Sequence, residues 1–240
     1  MAGSPVVSFS EPAKRVRRRL YEEYLTAGRC SNVAGLAAGT SLTYDAVLAA
    51  LAELERGLMV MLHPGVAGLV LKCPPWTNLP TPHTASVAHA AAASTNLGCA
   101  LEALNAAHCY PDEELFLASM CPHCGERMTM TLRNDDLLET SHPDVVVHLG
   151  TSPTTWANDW MLSCANNNFF PSADHVAEWE RTHPSLMGAV LTIDQVQAFA
   201  PYKHRLDFER GGDAPPARFL SVLIELGVAP SHWLSGRSGY

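Results

Sequence analysis

Apolar positions recur every three to four residues through the N-terminal part of the chain, the spacing of a helix with one buried face. Leu20, Tyr24 and Leu25 share such a face. Ser31 is placed to cap Asn32 to Ala38, and after Gly39 a second cap at Ser41 or Thr43 opens a helix carrying Val47, Leu48, Leu51 and Leu54. Gly57 ends that helix, and Leu58 to Leu62 reads as the first strand of a wing. Three helices followed by a strand outline a winged-helix-like helical domain over residues 13–63.

The pattern then changes. Val66 to Leu71 reads as a strand, and the proline-rich Pro74 to Pro82 as a rigid irregular stretch, so residues 64–82 are expected as an extended connector. Beyond it, strands are predicted at Thr84 to Val87, Leu115 to Met120, Met128 to Leu132, Val145 to Leu149 and Ala189 to Thr192. Helices are predicted at Gly98 to His108, Trp156 to Cys164, Asp174 to His183 and Ile193 to Phe199. Irregular mixing of this kind predicts an α+β class, with a mixed sheet-and-helix domain over residues 83–205. Arg218 to Leu226 reads as a last amphipathic helix within a C-terminal segment, 206–240, whose tail frays after Ser231.

Composition narrows the function. With 240 residues, 47% hydrophobic and 17% charged, the chain has the material for a folded core and not for a disordered or rod-like one. Its net charge of −8 repels a phosphate backbone, which sets nucleic acid aside as the expected partner. The basic run Lys14 to Arg19 is expected as the solvated opening turns of a helix. The alanine-rich run Ala85 to Ala93, broken by His89, is too short to span a bilayer, and Met1 to Glu11 lacks the apolar core of a secretory signal. A cytoplasmic location without membrane attachment is therefore expected. Seven cysteines, an odd number, fit free thiols in a reducing compartment better than a disulfide framework.

Three of the cysteine neighbourhoods can carry chemistry. Cys99 opens a helix, and the three-residue spacing puts its sulfur and the Glu102 carboxylate on one face. A thiol at a helix N-terminus is biased toward thiolate, and a carboxylate one turn away can take its proton and return it. Cys164 ends a helix at the junction with Asn166-Asn167-Asn168, where the three asparagines are expected to turn before the buried pair Phe169-Phe170. Cys121-Pro122-His123-Cys124-Gly125 has the half-site form of a zinc knuckle; Cys73, His108 and Cys109 are the candidates for its missing ligands.

The run Asn96-Leu97-Gly98-Cys99-Ala100-Leu101-Glu102-Ala103-Leu104 resembles the active-site helix of the organomercurial (alkylmercury) lyases, where Cys-Ala-Leu-Asp or Cys-Ala-Trp-Asp carries the first mercury-binding thiol and the acid. The flanking motifs are collinear with that family. Trp76 to His83 is similar to a proline-rich entry strand, and Leu162-Ser163-Cys164 before Phe169-Phe170-Pro171-Ser172 is similar to the second active-site cysteine and its following segment. Val176 to Trp179 and Gly188 to Thr192 resemble the end of the same domain, so the likeness spans residues 15 to 200.

The resemblance implies that Cys99 and Cys164 take mercury, a soft cation that prefers thiolate, while Glu102 stands where the family has aspartate and protonates the leaving carbon. It implies a carbon-mercury lyase that needs no organic cofactor, acts on an organomercurial, and releases a hydrocarbon and Hg(II) to small external thiols or a mercuric reductase. The longer Glu102 side chain predicts weak or redirected activity. Two other readings stay open at this point. One is a non-lytic thiol protein binding copper or zinc on the same scaffold through Cys99, Cys164, Cys121 and Cys124; the other is a metal-sensing winged-helix regulator.

Overall fold

A computed structural model describes residues 9–87, 94–111, 113–156, 159–198 and 223–228. Three helices come first: α1 (Glu11–Ala27), α2 (Val33–Thr40) and α3 (Tyr44–Arg56). Each is capped from its own sequence. The Ser10 hydroxyl accepts from the backbone N–H of Ala13, the Asn32 side chain from Gly35, and Thr43 from Ala46. Asn32 and not Ser31 is thus the cap of α2. The buried faces of α1 and α3, including Val16, Leu20, Tyr24, Val47, Leu51 and Leu54, close on one another as the periodicity requires.

The basic run departs from expectation. Arg17 is buried, donates to the Tyr21 hydroxyl at 2.9 Å and lies over that ring. Its neighbour Arg19 pairs with the shielded Glu23 carboxylate at 2.7 Å. The run is therefore split between solvent and the helix–helix seam, because helical periodicity turns every third or fourth cation inward.

Strands β1 (Met61–Leu62), β2 (Val70–Cys73), β3 (Trp76–Thr77), β4 (Thr84–Val87) and β5 (Thr95–Leu97) follow, then helix α4 (Ala100–Ala106) and strands β6 (Leu115–Met120), β7 (Arg127–Arg133) and β8 (Asp136–Thr140). They form one antiparallel sheet in the order β1-β2-β3-β5-β4-β6-β7-β8. The stretch read as an irregular connector is hydrogen-bonded into this sheet: Lys72 faces Thr77, Cys73 faces Trp76, and Trp76 in turn faces Leu97. The ring of Trp76, wholly buried, stacks on Tyr24 of α1 with centroids 5.3 Å apart. Helices and sheet thereby share one core.

A second sheet of three antiparallel strands, β10-β9-β11, is built from β9 (Val146–Leu149), β10 (Asn167–Phe170) and β11 (Ala189–Thr192). Short helices α5 (Trp160–Ala165), α6 (Ala173–Thr182) and α7 (Ile193–Gln197) connect and cover it. Only the first asparagine turns: Asn166 ends α5, and the other two go straight into a strand. Asn167 to Phe170 is extended, fully buried and paired with Leu149 to Val146. The amides of Asn166 and Asn168 instead reach back to the carbonyls of Leu162 and Ala165 at 2.7 and 2.8 Å, satisfying the end of α5 and leaving the backbone free to enter the sheet. Of the expected C-terminal helix Arg218 to Leu226, only Leu223 onward lies within the described residues, and the tail after Ser231 lies outside them. Most of the run Ala85 to Ala93 lies outside them too. No single helix among the described residues is long and apolar enough to cross a membrane.

Candidate active site

Strand β5 delivers the chain directly to Gly98 and Cys99, and Cys99 takes extended dihedrals as the N-cap residue of α4. Glu102 falls one turn later and is buried with it. Helix α4 packs against β10, and α5 packs on the same strand, so Cys164 near the end of α5 is carried over the start of α4. The reactive atoms of Cys99, Glu102 and Cys164 consequently lie within 4.8 Å of one another. Cys99 is closed off from solvent, whereas Cys164 is half-buried at the rim.

A fourth group completes the cluster, one that motif reading passes over. Lys72 of β2 is buried, its Nζ 2.6 Å from the sulfur of Cys164 and 2.8 Å from Oε2 of Glu102. The same ammonium sits 4.9 Å over the Trp160 ring. Strand order explains the meeting, since β3 separates β2 from β5 and pairs with both. A signal for Lys72 does exist in the sequence: in Val70-Leu71-Lys72-Cys73 it is the lone cation on the alternating buried face of an apolar strand.

Room for this ion pair depends on Gly98. A Cβ at that position would overlap the Glu102 carboxylate and come within 2.6 Å of Lys72 Nζ. The absent side chain is therefore the space in which the carboxylate and ammonium meet.

Charge is distributed unevenly over the two thiols. Cys164 is held below the ordinary thiol range, first by the hydrogen bond from Cys99 and further by the Lys72 charge, against the opposing effects of burial and Glu102. Cys99 is pushed well above that range by burial, by its hydrogen bond to Cys164, and by the charges of Cys164 and Glu102. Burial works against the Lys72 ammonium, yet the surrounding Cys164, Glu102 and Cys99 groups raise its pKa and keep it charged. The resting arrangement is a Cys164 thiolate, a Cys99 thiol donating to it, and a lysine cation bridging thiolate and carboxylate. The expectation of a helix-end thiolate at Cys99 is thereby reversed: in a seven-residue helix the end effect is outweighed by the cost of placing charge on a sulfur closed off from water.

The other cysteines part company. Cys121 is buried and Cys124 exposed at the β6–β7 turn. The ligands expected for that pair are engaged elsewhere: His108 binds Asp135 at 3.1 Å, Cys73 is buried in β2, and Cys109 is held above the ordinary thiol range by burial and by nearby Cys73.

Comparison with known proteins agrees with the geometry. No curated protein matches the chain. Among solved structures, the mercury-bound form of MerB2 superposes with a TM-score of 0.65 at 18% identity, over 85% of this chain and 93% of the other, a likeness of fold. The family model described as "MerB: Alkylmercury lyase" matches residues 76–202, more than half of the sequence, and these residues hold Cys99, Glu102 and Cys164. The chain belongs to the alkylmercury lyase family.

Proposed function

We propose that the protein is an organomercurial lyase that cleaves carbon–mercury bonds by two-thiol capture and protonolysis. The observation that carries this reading is the convergence of two sulfurs and one carboxylate within 4.8 Å, with a buried lysine joined to both. Cys164 is the thiolate nearer solvent and binds R–Hg⁺ first, displacing its weak ligand. The sulfur's negative charge is then shared with mercury, and the Lys72 ammonium is left to pair with Glu102.

Cys99 adds as the second ligand and its proton passes to Glu102, within reach in the same cluster. Two sulfurs push electron density onto the bound carbon. The carbon–mercury electron pair leaves with carbon, and the protonated Glu102 supplies the proton there, with Lys72 beside it stabilising the carboxylate that re-forms. Mercury remains Hg(II) throughout, held between Cys99 and Cys164, and the organic group departs as R–H. External small thiols or a mercuric reductase then take the metal. No organic cofactor enters this scheme.

The same trio supports a second reading, a non-lytic thiol protein that retains a soft metal such as copper or zinc. Hydrocarbon release separates the two. The protein is incubated with excess thiol and methylmercury or phenylmercury, and methane or benzene is measured beside Cys99→Ser, Cys164→Ser and Glu102→Gln. The lyase reading expects release from the wild type alone; stoichiometric mercury retention without hydrocarbon overturns it in favour of the binding protein. The succession of three helices and the antiparallel β1–β2 hairpin supports a winged-helix reading of the N-terminal part. A regulator reading gains little, since α3 carries Asp45, Glu53 and Glu55 against Arg56 alone.

A further inference from the structure

A second cluster of metal-ligating side chains lies outside the catalytic trio, where the β6–β7 turn meets α6. The sequence Cys121-Pro122-His123-Cys124-Gly125 folds back tightly: Gly125 N–H donates to the Cys121 carbonyl, Cys121 N–H to the Glu126 carbonyl, both at 2.9 Å, and Gly125 takes a left-handed φ of 75°. The backbone N–H groups of His123 and Cys124 are directed at the Cys121 sulfur, and the two thiols hydrogen-bond to each other. Burial and the neighbouring Cys124 raise the pKa of the Cys121 thiol, and the two amide donors oppose that shift, as they would support a sulfur ligand to a cation.

Across the turn, Cys124, Glu126 and His175 of α6 bring their donor atoms within 4.8 Å of one another. Outer partners already orient them. The Ser172 hydroxyl is 3.0 Å from Nδ1 of His175, and Glu126 Oε1 is 3.0 Å from Nε2 of His142. Second-layer contacts of this kind set ring and carboxylate orientation around bound metals.

We propose that Cys121, Cys124, His175 and Glu126 form a zinc site that clamps the β6–β7 turn to α6. Two thiolates, one imidazole and one carboxylate suit tetrahedral Zn(II), whose ligand distances of about 2.0–2.3 Å require Cys124, Glu126 and His175 to close by about 1 Å through side-chain rotation, with Cys121 joining through the sulfur it already hydrogen-bonds to Cys124. Cys124 and Glu126 are exposed, so that rotation meets no packed core. The ligands close two segments far apart in sequence, and zinc there acts as a cross-link in place of a disulfide. The site is independent of the lyase reading.

The test uses full-length Cys99→Ser/Cys164→Ser protein, reduced, stripped with chelator and checked for folding by circular dichroism, so that the catalytic thiols cannot contribute. It is titrated with Zn(II) and, in parallel, with Co(II). Expected are one equivalent per chain, sulfur-to-cobalt charge-transfer and tetrahedral d–d bands, and a Tm rise of about 5–10 °C at a hundredfold excess over Kd. Adding Cys124→Ser must abolish the bands, and Ser172→Ala must weaken binding at least about tenfold. If the double variant fails to fold, the wild type serves: Cys124→Ser must remove one equivalent of Zn(II) while the circular dichroism of the folded chain persists. Absence of binding, or binding that survives Cys121→Ser/Cys124→Ser, overturns the site.

Discussion

Lys72 donates to the sulfur of Cys164 across 2.6 Å, joining a β-strand to a helix 92 positions later in the chain. Its ion pair with Glu102, at 2.8 Å, makes it the link between one sulfur of the cluster and its carboxylate. Because a buried pair broken on one side leaves an uncompensated charge, removal of this cation should be felt in both chemistry and stability.

Lys72→Met is expected to lower hydrocarbon release at least about tenfold and to cost about 3–5 kcal/mol in stability. The sign of the pH effect follows from the lysine lowering the Cys164 pKa. Thiolate is present above that pKa and lost below it, so deleting Lys72 moves the acid limb of the activity profile to higher pH. Thiolate ultraviolet absorbance followed against pH in a Cys99→Ser background reads the shift directly. An unmoved titration would show that Lys72 does not govern Cys164.

Glu102→Asp keeps the carboxylate but withdraws it from Lys72 Nζ, now 2.8 Å away. A misplacement of about 1 Å can cost about a hundredfold, so turnover should fall to that extent while mercury capture by the two thiols is preserved. Single-turnover benzene release with the retained metal counted in parallel checks it. Faster release from Glu102→Asp would mean that the longer side chain is the handicap.

Gly98→Ala places a methyl group where the Glu102 carboxylate and Lys72 ammonium meet. Overpacking there should destabilise the fold by about 1–3 kcal/mol and reduce activity by separating the pair. Urea unfolding gives the first quantity, and hydrocarbon release the second. Near-wild-type values for both would show that the site relaxes freely.

His83, fully enclosed with Nδ1 2.9 Å from Ser119 Oγ, has its pKa driven by burial down to about 4. An imidazole that must remain neutral when folded contributes its full stability above the ordinary histidine pKa of about 6.5 and loses it as pH falls toward 4. The loss is on the order of 3 kcal/mol. Thermal unfolding across this window should show a steeper acid decline in the wild type than in His83→Asn, and parallel slopes would refute the assignment.

Much of the framework was legible along the chain because its signals are local. The cap at Thr43, the stop at Gly57, and alternating strands such as Leu115–Met120 depend on neighbours a few residues away. The pairing of Cys99 with Glu102 is equally local, set by one turn of helix. The asparagine run confines its turn to Asn166 because side-chain bonds from Asn166 and Asn168 back to α5 satisfy the helix end and let the next residues extend.

By itself, then, the order of residues determined the helices, most strands, and which thiols and carboxylate were chemically eligible. Tertiary structure decided which thiol carries the charge, that a lysine stands between thiolate and acid, and that His175 and Glu126 face the Cys121 to Cys124 turn. The physical reason is range. Backbone propensity and capping are settled within a turn or two of chain, whereas proton affinity depends on burial and on charges within a few ångströms, and only the packing of distant strands and helices brings those together.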